Sequence, residues 1–83
     1  MIPLFHPPIK RSLEIAGHKT SISLEPLFWE MLKVAAAKEG IPVNALVARI
    51  DALRLEADPM PGLASAIRVW LTASAYSAAQ KGI

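Results

Sequence analysis

The run His18-Lys19-Thr20-Ser21-Ile22-Ser23-Leu24 alternates in character and leads directly through Glu25-Pro26 into a helix, a glycine and a second helix. No other feature restricts the chain so strongly. Alternation sends Ile22 and Leu24 to one side of a strand and Lys19, Ser21 and Ser23 to the other. A lone strand leaves unpaired backbone groups on both edges, and an isolated two-stranded ribbon is marginal in water. Pairing with a second copy of the chain is the expected remedy. A two-stranded ribbon with a small polar outer face also fits the major groove of DNA. The run therefore points to a partner and to a ligand. Size agrees with the first. Eighty-three residues make one small domain with a limited core, yet 53% of them are hydrophobic and only 6% aromatic. An aliphatic, alanine-rich core of that size leaves apolar surface for an oligomer to cover.

Residues 1–9, with Pro3, Pro7 and Pro8, read as a proline-rich arm, and residues 10–83 as a single domain. Residues 11–15 alternate polar and apolar. They form either the first strand of a hairpin turning at Ala16-Gly17-His18, with Gly17 at positive φ, or an extended arm; both readings stand. A first helix starts near Pro26, which suits a first turn because its missing N–H has no partner there. Phe28, Met31, Leu32, Ala35 and Ala36 make its apolar stripe, and Gly40 ends it. A second helix is predicted from about Pro42 to Leu55, burying Val43, Leu46, Val47, Ile50 and Leu53 and leaving Arg49, Asp51 and Arg54 in solvent. Beyond the Pro- and Gly-containing loop Asp58–Gly62, a third helix over about 63–80 carries Leu63, Ile67, Trp70, Leu71 and Ser74 on one face. So apolar a helix is expected to pack on the first two or across a dimer.

Composition excludes several classes of function. Without cysteine there is no disulfide framework and no thiolate metal site, and His6 and His18 lack ligand-like neighbours, so neither metal nor cofactor is expected. No Ser-His-Asp arrangement, paired-carboxylate cleft or glycine-rich phosphate loop is visible, so the chain is expected not to be an enzyme and offers no catalytic residue. No run reaches the roughly 18 apolar residues of a membrane span. The N-terminus lacks the charged lead and long apolar region of a secretory signal, so a cytoplasmic protein is expected. The net charge of +2 is unevenly placed. All of the excess lies in residues 1–20, as Lys10, Arg11 and Lys19 against Glu14, while the remainder balances. That is beside the alternating strand, where phosphate contacts would need it.

The stretch Thr20–Arg54, with Gly40-Ile41-Pro42-Val43-Asn44 as the turn between two helices, resembles the ribbon-helix-helix DNA-binding proteins, the Arc/methionine-repressor-like family. The ordered motifs Lys10-Arg11-Ser12, Ala16-Gly17-His18, Ser21-Ile22-Ser23-Leu24-Glu25, Phe28-Trp29, Asn44-Ala45-Leu46 and Ser65–Leu71 are similar to a small bacterial subfamily with an additional C-terminal helix. The resemblance covers about residues 10–72. It implies a mainly α fold with a short β-ribbon, ribbon-helix-helix plus a third helix, as an intertwined homodimer. Two antiparallel strands, one from each copy, would enter the major groove of double-stranded DNA. Lys19, Ser21 and Ser23 would then face base edges, and the backbone N–H groups at Val43 and Asn44 would hold a phosphate. Lys10 and Arg11 would add phosphate contacts. The implied role is a transcriptional regulator or antitoxin-like repressor.

Structural roles stand beside these. Asn44 can be a helix cap, Lys19 an edge guard against aggregation, and Trp29 and Trp70 packing anchors. Two of the three outward positions are serine, which reaches a base edge poorly, and Glu25 closes the strand with a charge that phosphate repels. These features support an alternative: a dimeric protein–protein interaction module on the same scaffold. It would not read DNA, and its apolar third helix would take a protein partner.

Overall fold

Ala16 (φ 50°) and Gly17 (φ 82°) both adopt left-handed backbone. A two-residue turn of that kind matches the twist of the strands it joins. In the computed structural model, which describes residues 2–81, it joins β1 (Ile9–Ile15) to β2 (His18–Leu24). Three helices follow: α1 (Pro26–Glu39), α2 (Val43–Leu55) and α3 (Leu63–Lys81). Met1 at the start of the expected arm and residues 82–83 at the end of the expected domain lie outside the described residues.

The hairpin reading of residues 11–15 holds, and the strand reaches back to Ile9, just past Pro8, which has no N–H to give a ladder. The two strands pair antiparallel from Ile9↔Leu24 to Ile15↔His18. The expected pairing of a strand with that of a second copy would be a further contact, for within one copy the ribbon is already two-stranded. The reason lies in β1 itself. Ile9, Leu13 and Ile15 lie on one face of the ribbon with Ile22 and Leu24, interrupted only by Arg11, so the hairpin supplies its own second apolar row.

That face rests on the helices. Ile15, Ile22 and Leu24 are buried with Trp29, Leu32 and Ala36 of α1, Leu46, Val47 and Ile50 of α2, and Ile67 and Leu71 of α3. Leu53, expected in the core, is 54% exposed, and the covered side of that last turn is taken by its neighbour Arg54. Arg54, expected in solvent, is half-buried between Asp51 and the carbonyl of Pro61. Gly40 ends α1 at φ 69°. Its N–H reaches back to Ala37 O at 3.1 Å and that of Ile41 to Ala36 O at 3.1 Å, a reversal that a residue with a Cβ adopts at a cost. α3 packs on α1 and α2 only through its first half; from Thr72 to Lys81 it is exposed.

Candidate nucleic-acid interface

The register fixes the faces of the ribbon. Residues opposite one another share a face, so Lys10/Ser23, Ser12/Ser21 and Glu14/Lys19 stand together on the outer side. All six are exposed and none is apolar. Lys10, Lys19, Ser21 and Ser23, four of the residues singled out in the sequence, are thus brought onto one surface. Arg11 is not. It projects from the opposite face, exposed at the flank, with its guanidinium 5.0 Å from the centroid of the Trp29 ring, a cation–π contact. Two outer-face residues, Ser12 and Glu14, were not assigned to the site from the sequence. Ser12 widens the short-side-chain surface, and Glu14 sets a carboxylate directly across from Lys19. Register is what identifies them, because a one-residue slip would send both to the core side.

The edges of the ribbon follow from the turn. A two-residue hairpin closes with a hydrogen-bonded pair, here Ile15 and His18, and bonded and non-bonded pairs then alternate. Lys19, Ser21 and Ser23 fall at non-bonded positions, so their N–H and C=O groups point away from β1. Those of Lys10, Ser12 and Glu14 point away from β2. Two contacts agree with this. Asn44 Nδ2 donates to Glu14 O at 3.3 Å, and Arg68 Nη2 to Ser23 O at 3.4 Å. The N-terminus of α2 is thereby placed against one edge and α3 against the end of the other. The backbone of Lys19 and Ser21 remains open along β2.

At the start of α2, Pro42 is the N-cap and no side chain caps the helix. Asn44 is therefore not a cap; its side chain is used on the strand. The Pro42 carbonyl accepts from Ala45 N at 3.1 Å and Leu46 N at 3.2 Å. The N–H groups of Val43 and Asn44 are left with no intrahelical acceptor, as in any first turn. No acidic residue sits in that turn to occupy them. Val43 is half-buried and Asn44 exposed.

Glu25, expected to repel phosphate at the end of the strand, is neutralised by a partner 43 residues away. Arg68 Nε donates to its Oε1 at 3.0 Å, and Arg68 Nη2 lies 2.9 Å from the same oxygen. The Glu25 carboxyl is held below the ordinary carboxylate value, first by a hydrogen bond from its own backbone amide and then by Arg68, against some loss of solvation. The same guanidinium lies 5.8 Å from the centroid of the Phe28 ring. One side chain thus ties α3 to β2 and α1. Trp29 is 6% exposed and Trp70 half-buried, in agreement with packing roles. Among the described residues no helix is long and apolar enough to cross a membrane.

Comparison with curated proteins and with solved structures returned no match. A family profile described as a ribbon-helix-helix domain matches residues 8–75, from the first strand well into α3. Two antiparallel strands followed by helices, over most of its length, make this chain a member of the ribbon-helix-helix domain family.

Proposed function

We propose that the protein binds double-stranded DNA as a homodimer and acts as a transcriptional regulator or antitoxin-like repressor. Domains of this family commonly serve as DNA-binding regulators or antitoxins and are typically not enzymes. The observation that carries the reading is the outer face of the ribbon: six exposed residues, all basic, acidic or serine, bordered by the uncapped N-terminus of α2. In the dimer, the open edge of β2 pairs antiparallel with β2 of the second copy. Adjacent strands lie about 4.8 Å apart, so the outermost strands of the four are about 14 Å apart, against a major groove about 12 Å wide. The central β2 pair enters the groove, and each β1 lies over its rim. Ser21 and Ser23 then face base edges, and Lys19 reaches past them to a phosphate. Lys10 and the amides of Val43 and Asn44 face phosphates. Arg11 adds to the positive field from the flank.

Serine discriminates little between bases, so backbone contacts dominate affinity. Fluorescence anisotropy with a labelled random duplex over a salt series tests this. Four lysine contacts per dimer, Lys10 and Lys19 from each copy, are expected to give a slope of about −3.6 in log K against log salt, and Lys19→Ala about −1.8. No binding at low salt, or a flat slope, would refute the reading. One observation favours the alternative interaction module: an apolar groove between α1 and α3, lined by Met31, Val34, Trp70 and Ala75. That reading is expected to show no salt-dependent DNA binding and no effect of Lys19→Ala.

A further inference from the structure

The groove between α1 and α3 measures about 510 Å³. Met31, Val34 and Ala35 form one wall, Trp70, Leu71 and Ala75 the other, and Ile2 of the N-terminal arm stands at its border. The arm therefore runs back from Ile9, where β1 begins, to a surface formed by the helices. It makes little use of that surface. Ile2 is 40% exposed, and the turn that follows holds Leu4 at 64% and Phe5 at 94% exposure. Two large apolar side chains thus stand in water within three residues of an apolar groove. On the groove side Val34 is 53% exposed.

We propose that residues 2–5 are a strap for this groove, and that Leu4 and Phe5 follow Ile2 into it when the strap closes. Length supports the fit. The α1 wall runs from Glu30 to Glu39 and the α3 wall from Trp70 to Ala78, each about 12–14 Å at 1.5 Å per residue. Four extended residues span about 13 Å. Closure removes Leu4, Phe5, Val34 and Trp70 from water together. Pro3, Pro7 and Pro8 have φ already fixed, so the arm loses less conformational freedom on seating than an ordinary segment of that length. The occupant is the chain's own arm, because Ile2 already touches the groove of the copy it belongs to and reaches it at high effective concentration. An apolar segment of another protein would have to displace the strap before docking on α3.

Tryptophan fluorescence of the full chain tests the strap. Trp29→Phe leaves Trp70 as the one indole, since the chain has two. Adding Leu4→Ser and Phe5→Ser is expected to raise the iodide quenching constant of Trp70 about twofold and shift its emission to the red, with circular dichroism unchanged. The increase is expected to be the same across a dilution series. Unchanged quenching would overturn the strap. An increase that disappears on dilution would assign the arm to a second copy and overturn the own-chain occupant. If Trp29→Phe fails to fold, nuclear Overhauser contacts in the unaltered chain decide: Phe5 ring protons to the methyls of Met31 or Ala75 are expected, and their absence overturns the proposal.

Discussion

Arg68 does more than its position in an apolar helix suggests. It reaches across 43 residues to Glu25 and touches the carbonyl of Ser23 and the ring of Phe28. The folded state lowers the Glu25 pKa from its ordinary value of 4.5. The ionised carboxylate thus favours the fold. That contribution is complete above the ordinary carboxylate value and is lost as pH falls through the lowered one. Thermal melts from neutral to acidic pH are expected to show a smaller loss of Tm for Glu25→Gln than for the unaltered chain, and equal losses would contradict the pairing. None of this was legible in the sequence, which gave only a carboxylate at a strand end and an arginine in a distant helix. The outward set Lys19, Ser21 and Ser23 was legible, because alternation alone separates it from Ile22 and Leu24. The side taken by Arg11 was not, since it depends on whether residues 11–15 pair at all and in which register.

At the scale of elements, α1 was legible at both ends. Pro26 opens it and Gly40, at φ 69°, closes it. The fate of residues 11–15 was not, because five alternating residues suit an arm as well as a strand. The turn tips the balance, and it carries a flaw. Ala16 sits at φ 50°, where its Cβ costs about 1–2 kcal/mol relative to glycine. Asparagine tolerates that region and forms with Gly17 the favoured pair for such a turn. Ala16→Asn is therefore expected to stabilise the protein by about 0.5–1 kcal/mol, read as a rise in Tm of roughly 2–8 °C. A fall in Tm would show that the turn is not of this type. Leu53 marks the limit of periodicity in the other direction. Its spacing matches the buried stripe of α2, but the covered side of that last turn belongs to Arg54, held by Asp51 and Pro61.

At the scale of the whole molecule, a single copy already closes a core of eleven buried apolar residues. The proposed dimer is therefore expected to form through the open edge of β2 rather than to complete an unfinished interior. Ser21 is the point at which to break it. Its N–H points away from β1, so proline there removes a donor from the intercopy ladder and none from the hairpin. Ser21→Pro is expected to raise the dimer dissociation constant in sedimentation equilibrium by at least about tenfold, which corresponds to about 1.4 kcal/mol. Circular dichroism is expected to stay that of the folded chain. An unaltered dimer would move the interface elsewhere. The central claim is that the outer face of the ribbon and the start of α2 lie on DNA. Backbone amide shifts of the labelled protein during titration with duplex DNA at low salt test it most directly. Shifts are expected at Lys10, Lys19, Ser21, Ser23, Val43 and Asn44, with Val34 and Ala75 in the α1–α3 groove unmoved. Shifts confined to that groove, or none at all, would contradict it.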